Sequence, residues 1–152
     1  MSLKSSLLAA CASLALVAPA LGQEIEIHDP YARSASPMAK TGAAFMVIHN
    51  HGDTGDHLTG VESPVAQRVE LHTHSEKDGV MRMGEVEDGF ALPADGEIVM
   101  ERGGHHVMFM GLTAPFEQGD TIPLTLIFET SGEVTLDVPV DLERTPEEGH
   151  GH

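Results

Sequence analysis

Histidine and methionine side chains recur at two-residue spacing in three separate segments of the chain. These residues are His72, His74, Met81, Met83, His106, Met108 and Met110. Residues two apart on a β-strand lie on the same face of the strand. If the three segments are strands, each of them presents imidazoles or thioethers on one face, and together they offer a set of metal-binding groups.

The types of these side chains point to copper. The methionine thioether is soft, polarizable and uncharged, which suits Cu(I) and is unsuited to Mg²⁺, Ca²⁺ or structural Zn²⁺, whereas imidazole binds copper in either oxidation state. A mixed His and Met site without thiolate would bind Cu(I) and still release it to a stronger site, as a carrier must. The competing interpretation is that the methionines only fill the core, which is the usual role of methionine on a strand.

The elements that must position these residues are short strands. Apolar residues alternate with polar ones over short segments that are separated by Gly-, Asp- and Pro-containing turns. This pattern predicts strands over 23–28, 43–49, 68–72, 80–86, 98–101, 105–112, 124–129 and 133–140. We therefore expect an all-β fold, a Greek-key β-barrel or sandwich of about seven to nine mostly antiparallel strands. The Asp78-Gly79 turn predicts a hairpin that brings the second segment beside the first.

Net charge and chain length restrict the domain count and the classes of partner that this chain could have. The chain has 152 residues, 8 basic and 24 acidic side chains and a formal net charge of −16. One domain is expected at this length. Such a negative chain would repel phosphate backbones and anionic lipid surfaces, so we expect no nucleic-acid partner. Cationic partners or metal ions are better suited to it.

The N-terminal residues have the features of an export signal. Lys4 precedes an apolar stretch, and small residues at Ala20 and Gly22 resemble a signal-peptidase site. We predict a signal peptide over 1–22, cleavage before Gln23 and a periplasmic product. The apolar stretch 7–21 is too short to span a bilayer, so no membrane insertion is expected after cleavage. Lipidation at Cys11 is the competing interpretation, but the apolar run continues well past that cysteine.

Cleavage there would remove the only cysteine of the chain. The exported part would then lack a thiol nucleophile, a Cys-type zinc site and the thiolate of a blue-copper centre. The sequence also lacks a Gly-x-Ser-x-Gly elbow, a His-Glu-x-x-His motif and a Gly-rich phosphate loop. We therefore expect no enzymatic activity. The alternative from another class is a zinc-buffering or interaction-type secreted β-sandwich, in which the methionines are core residues.

Several motifs resemble those of one known family. They include Asp29-Pro30-Tyr31-Ala32-Arg33, Gly79-Val80-Met81-Arg82-Met83 and Gly103-Gly104-His105-His106-Val107-Met108. His72 is followed after ten residues by Met83, and after twenty-two more by His106-Val107-Met108. On this pattern the chain resembles the periplasmic copper chaperones of the PCuAC type, over nearly the whole mature chain.

The resemblance implies a function and a set of ligands. Family membership would place Cu(I) on His72, Met83, His106 and Met108 of a cupredoxin-like β-barrel. It would also imply copper delivery to the CuA site of cytochrome c oxidase subunit II, with a Sco-type chaperone as a further partner. The interval before His106 is one residue longer than in the common form, so His105 remains an alternative ligand. Tyr31 stands where Trp is common, which we expect to affect packing.

Other residues are candidates for a secondary role. His74, Met81, His105 and Met110 could serve as alternate ligands near the first site. In the acidic tail, His150 and His152 could bind a second copper as Cu(II). We predict that the copper-binding domain covers 23–142, that 143–152 form a flexible tail and that the protein is a monomer. The remaining group, His49, His51 and His57, is interpreted as solvated loop residues.

Overall fold

The structure is a computed structural model that describes residues 24–145. These residues form ten β-strands and no α-helix. The strands are β1 (Ile25–Ser34), β2 (Thr41–Asn50), β3 (Asp56–Glu62), β4 (Ala66–Lys77), β5 (Val80–Glu85), β6 (Phe90–Leu92), β7 (Glu97–Met100), β8 (His106–Leu112), β9 (Thr121–Phe128) and β10 (Gly132–Pro139). Residues 24–145 contain no helix that could cross a membrane.

The strands form two sheets that pack face to face. The first sheet has the order β1-β2-β8-β4-β5, with β7 beside another part of β2. The second has the order β10-β9-β3-β6, and the strand pairs within both sheets are antiparallel. A parallel bridge between Ala32 and Val140 links the two sheets at one edge. The first sheet has one face toward the core and one outer face, and the outer face carries the residues of interest.

The alternation of side chains explains which face is buried. On β9, Ile122, Leu124, Leu126 and Phe128 point into the core, and the residues between them are more exposed. On β8, Val107 and Phe109 do the same from the opposite sheet. Because neighbouring side chains of a strand point to opposite faces, the even-numbered residues of β8 must lie on the outer face. Burial of the apolar face is the main force that fixes this register.

The all-β prediction is confirmed, with corrections in detail. Each of the eight predicted segments overlaps an observed strand, but the structure has ten strands where seven to nine were expected. The two that the sequence pattern missed are β3, which contains Gly60 and follows a Gly- and Asp-rich turn, and β6, which is only three residues long. The interpretation of His57 as a loop residue was wrong, because His57 lies in β3.

Strand β4 is also longer than predicted. It spans Ala66–Lys77, whereas the alternation of apolar residues indicated only 68–72. Its first half pairs with β8 and its second half pairs with β5, so hydrogen bonds to two neighbours extend it past the end of its apolar pattern. This extension places both His72 and His74 on one continuous strand.

Candidate metal site

Strand register brings the histidines and methionines of three strands to one place. His72 of β4 lies directly opposite His106 of β8, and His74 of β4 lies directly opposite Met83 of β5. Residues that oppose each other in an antiparallel pair point to the same face. On the outer face of the sheet, β4 is therefore flanked by an imidazole from β8 and by a thioether from β5.

Met108 joins this group from the same face of β8. It lies opposite Glu70 of β4 on one side and opposite Ala43 of β2 on the other. The small Ala43 side chain leaves space above the sheet, and a cavity of about 300 Å³ opens there. His74, Met83, His106 and Met108 all line this cavity.

His106 is positioned and held in one tautomer by a backbone carbonyl. Its side chain is 3% exposed, and its Nδ1–H donates a hydrogen bond to the carbonyl oxygen of Gly104 at 3.0 Å. With the proton on Nδ1, the Nε2 lone pair is free to bind a metal ion. Burial lowers the pKa of His106, which keeps the imidazole neutral at pH 7.

A tight turn positions that carbonyl. The amide of Gly104 donates to the carbonyl of Glu101 at 2.9 Å, and Gly103 has a φ of +86°. A positive φ at the third position of a turn is typical of type II, which favours glycine there. The Gly104 carbonyl also lies 3.4 Å from Nδ1 of His74, so one turn orients two imidazoles.

His72 has a different environment beside the cavity. It is 8% exposed and its ring centroid lies 5.8 Å from that of His106. Its Nε2 bonds the carboxylate of Glu70 at 2.8 Å, whereas its buried Nδ1 has no hydrogen-bond partner. The hydrogen bond from His72 lowers the pKa of Glu70, so that carboxylate is charged and can hold the imidazole by its Nε2–H. An unpartnered buried nitrogen backed by a carboxylate is the arrangement of a metal-ligating histidine.

The other candidates lie outside the cavity lining. Met81 is 59% exposed near the tip of the β4–β5 hairpin, opposite Glu76. Met110 lies further along β8, opposite Arg68 of β4. His105 points away from the cavity: its ring packs on Phe90 at 4.2 Å between centroids, and its Nδ1 contacts Oγ1 of Thr73 at 2.8 Å. The predicted tail ligands His150 and His152 lie outside the described residues.

The chain has relatives among known proteins. Residues 25–140 match a family described as "Putative lipoprotein LpqE-like". The chain belongs to the LpqE-like family. A relative from Leifsonia xyli subsp. xyli, named "Putative lipoprotein Lxx21020", is 37% identical over 98 residues, which are 64% of this chain and 59% of the relative. The matched region thus spans about three fifths of that protein.

Several solved structures share the fold of this LpqE-like chain. The copper-bound PCuAC domain from PmoF2 superposes with a TM-score of 0.64 and 28% identity, covering 78% of this chain and 93% of that domain. Apo-DR1885 from Deinococcus radiodurans gives a TM-score of 0.62 and 25% identity, covering 94% and 95% of the two chains. The Cu(I) form of DR1885 gives 0.61 and 28%, covering 82% and 84%. These matches confirm the predicted PCuAC-type fold.

Some residues of the site in this LpqE-like chain escaped the sequence analysis. Glu70 precedes His72 by two residues on the same strand face, so the two-residue spacing could have identified it. Arg33 of β1 and Arg102 of the loop before β8 also line the cavity. Arg33 reaches it from a strand distant in sequence, which no local spacing predicts. Arg102 lies four residues before His106, in the turn that precedes β8.

Tyr31 belongs to the packing at one end of the site. Its ring lies 5.2 Å from that of Phe45, which in turn is 6.1 Å from the ring of His106. The guanidinium of Arg144 stacks over Tyr31 at 4.2 Å and pairs with the carboxylate of Asp29. Arg144 falls within the segment predicted as a flexible tail, yet it packs on the domain.

Proposed function

We propose that this LpqE-like protein is an exported copper carrier that binds Cu(I) in the cavity lined by residues of β1, β2, β8, β4 and β5. The observation that carries the proposal is the convergence of imidazoles and thioethers on one cavity, in a fold shared with copper-bound PCuAC domains. Met83, His106 and Met108 are the proposed ligands that line it. His72, which lies beside the cavity, is the fourth proposed ligand, and His74 is an alternate ligand.

The chemistry of the donors supports Cu(I) as the cargo. Two neutral thioethers provide soft ligands, and His106 is held neutral with Nε2 free. Nδ1 of His72 is a buried acceptor without a hydrogen bond, and a metal ion would satisfy it. Arg33 and Arg102 at the edge of the cavity add positive charge, which disfavours a dication more than a monocation.

The exposure of the site supports transfer. Met83 is 47% exposed on an edge strand, so a partner protein can reach a ligand without unfolding the sandwich. The absence of a thiolate among the proposed ligands leaves copper free to move to a stronger acceptor. Binding followed by release to an acceptor is the function we assign, with no catalytic reaction.

The identity of the acceptor is a further part of the proposal. The PCuAC resemblance favours the CuA site of cytochrome c oxidase subunit II, reached directly or through a Sco-type chaperone. Mixing the Cu(I)-loaded protein anaerobically with an isolated subunit II domain and then adding a one-electron oxidant tests this. Two delivered Cu(I) ions give a colourless site, and removal of one electron converts it to the mixed-valence CuA centre, which has a characteristic absorption spectrum. Loss of copper from the carrier without formation of that spectrum would exclude subunit II as a direct acceptor.

Export is proposed from residues 1–22 and from the family. Both the LpqE-like family and the relative from Leifsonia are named as lipoproteins. These names favour lipidation at Cys11 as the alternative to cleavage before Gln23. Residues 1–23 lie outside the described part of the chain. The intact mass of the exported protein distinguishes the two alternatives. Cleavage before Gln23 leaves a chain without cysteine, whereas lipidation leaves a chain that begins with an acylated Cys11. A Cys11→Ser variant is the control, because it cannot be acylated at this position.

An anaerobic Cu(I) titration against a competing chelator tests the binding site. We expect one tight equivalent in the parent chain and at least a tenfold weaker affinity in the Met83→Leu/Met108→Leu double variant. Leucine nearly preserves the volume of methionine, so the fold should be retained. The matched control is Met46→Leu/Met100→Leu, which removes two thioethers that oppose each other in the core.

Each outcome decides between the two function classes. If the control binds Cu(I) like the parent while the double variant does not, the cavity methionines are ligands. If the double variant also binds like the parent, the methionines are packing residues. A zinc-buffering or interaction module would then be the better description.

A further inference from the structure

A second group of metal-binding side chains lies at the other end of the outer face. Glu26 and His28 are two apart on β1, and His49 of β2 lies directly opposite Glu26. His51 follows just beyond the end of β2. Ligand atoms of Glu26, His28 and His51 all lie within 4.8 Å of one another. The interpretation as a solvated loop residue was wrong for His49, which lies in β2, whereas His51 does lie outside a strand.

The contacts inside this group converge on one nitrogen atom. Nε2 of His51 lies 2.5 Å from Oε2 of Glu26 and 3.2 Å from Nδ1 of His49. Nε2 of His28 lies 3.5 Å from Oε1 of Glu26. Nε2 of His51 carries at most one proton, which can make one linear hydrogen bond. A cation shared between these atoms would satisfy all of them.

Their spacing is close to that of metal ligands. Zinc binds imidazole nitrogen and carboxylate oxygen at about 2.0–2.2 Å, so two ligand atoms of a tetrahedral site lie about 3.3 Å apart. The observed separations lie on both sides of this value, from 2.5 Å up to the 4.8 Å limit. Small side-chain rotations would therefore place the three groups around one ion.

The backbone that carries His51 is held by a buried side chain. Asn50 is 2% exposed, and its amide donates to the carbonyl of Thr54 at 2.8 Å while its Oδ1 accepts from the amide of Gly52 at 2.9 Å. The amide of His51 donates to the carbonyl of Glu24 at 2.8 Å. These hydrogen bonds hold the backbone on both sides of His51, so its imidazole is oriented before an ion binds.

The local charge favours a cation. Glu97 lies opposite His49 on β7, and Oδ1 of Asp95 lies 3.9 Å from Nε2 of His49. Two or three imidazoles with a carboxylate form a harder donor set than the thioether cavity.

We propose that Glu26, His28 and His51, with His49 beside them, form a second metal site for a divalent ion of intermediate softness, Cu(II) in preference to Zn(II). The preference follows the Irving–Williams order. The site is separate from the Cu(I) cavity, since His49 lies four residues along β2 from Phe45, the nearest residue of that strand that lines the cavity, or about 13 Å at the rise of a strand. The proposal stands whether or not the cavity carries Cu(I).

Titration of the chain from Gln23 onward with Zn(II) and with Cu(II) tests the site. His150→Ala and His152→Ala are introduced throughout, so that the tail cannot contribute. Imidazole NMR signals locate the bound Zn(II), and calorimetry gives the affinities. We expect the signals of His28 and His51 to shift on addition of one equivalent of Zn(II), and Cu(II) to bind more tightly than Zn(II).

Matched variants complete the test. His28→Gln/His51→Gln should weaken Zn(II) and Cu(II) binding, measured by calorimetry, at least tenfold, and Glu26→Gln should weaken it less. The control His57→Gln removes an imidazole outside this group and should bind like the parent. Unshifted His28 and His51 signals at saturating Zn(II), or parent-like divalent binding by the first double variant, would overturn the proposal.

A Cu(I) titration of His28→Gln/His51→Gln keeps this proposal distinct from the carrier function. Parent-like Cu(I) affinity is expected, because none of these side chains lines the cavity. A fall in Cu(I) affinity equal to the fall in Zn(II) affinity would show that the two sites are one, and would overturn the assignment of a separate site.

Discussion

His72 and His106 lie directly opposite each other on β4 and β8, with ring centroids 5.8 Å apart, yet their imidazoles are held by different partners. His106 donates from Nδ1 to the carbonyl of Gly104, and His72 bonds through Nε2 to the carboxylate of Glu70. The two rings therefore offer opposite nitrogens to a shared ion, Nε2 from His106 and Nδ1 from His72. Substitution removes the Glu70 carboxylate, and a change in the turn displaces the Gly104 carbonyl, so the two contacts can be tested separately.

The first prediction concerns Glu70. The Glu70→Gln variant should weaken Cu(I) binding by about 10- to 100-fold, the usual effect of losing a hydrogen-bond partner of a ligating histidine. Its charge-matched control is Glu76→Gln, an exposed position further along β4. Chelator competition provides the measurement. Equal affinities in the two variants would show that Glu70 does not orient His72.

The second prediction separates the two adjacent histidines. His106→Gln should lose at least tenfold in Cu(I) affinity, because His106 lines the cavity with Nε2 free. His105→Gln should bind Cu(I) like the parent and lose some stability, because the ring of His105 packs on Phe90. Cu(I) titration and thermal unfolding of both variants provide the check. The reverse pattern of affinities would make His105 the ligand.

The third prediction concerns the turn before β8. Gly103 has a φ of +86°, so Gly103→Ala should destabilise the fold by about 1–2 kcal/mol through backbone strain alone. The displaced Gly104 carbonyl should also weaken Cu(I) binding. Gly84→Ala is the control, since Gly84 lies on exposed β5 and a Cβ there would meet no atom within 4 Å. Urea unfolding and Cu(I) titration provide the measurements. Equal stability and equal Cu(I) affinity in the two variants would contradict this account.

The fourth prediction concerns pH and the partly buried carboxylate of Asp56, which links β3 to the turn after β9. Asp56 at the start of β3 accepts hydrogen bonds from the amides of His57 and Thr130 and from the amide and hydroxyl of Ser131. Burial alone would raise the pKa of Asp56, but these hydrogen bonds outweigh it and the pKa is lowered. Asp56 therefore stabilises the fold above its ordinary pKa of about 3.9, and this contribution is lost as the pH falls through the lowered value.

The Asp56→Asn variant should show the corresponding changes. At pH 7 we expect the free energy of unfolding to fall by about 1–3 kcal/mol, since hydrogen bonds to a charged group are lost. Below about pH 5 the variant should lose less stability with falling pH than the parent does. Urea unfolding from pH 7 to pH 3 provides the measurement, with exposed Asp53→Asn as the control. Parallel pH profiles for parent and variant would refute the role of Asp56.

Much of the fold followed from the sequence because alternation of apolar residues is a local signal. Strands such as β8 and β9 bury one face, and their pattern is visible in the residues themselves. Strand β5 carries six exposed residues but was still predicted, since the Asp78-Gly79 turn marks its hairpin. The short β6 and the Gly-containing β3 lack such signals, and their pairing with other strands decides their conformation.

The site was predictable in part for the same reason. Two-residue spacing placed the histidines and methionines on common faces, and the strand register later showed which faces meet. The spacing could not distinguish His74, which lines the cavity, from Met81, which lies near the exposed hairpin tip. Nor could it reveal that His51 would meet Glu26, because these two residues are 25 positions apart in the sequence.

For the proposed carrier, the edge position of β5 would give the release of copper an order in time. All six residues of β5 are exposed and the strand pairs only with β4, whereas His106 and Met108 lie on β8, which is bonded on both sides. Local opening costs least where few buried contacts hold a segment, so amide hydrogens of β5 should exchange before those of β8. Met83 would then be the first ligand to dissociate, and an acceptor would compete for the copper from that side.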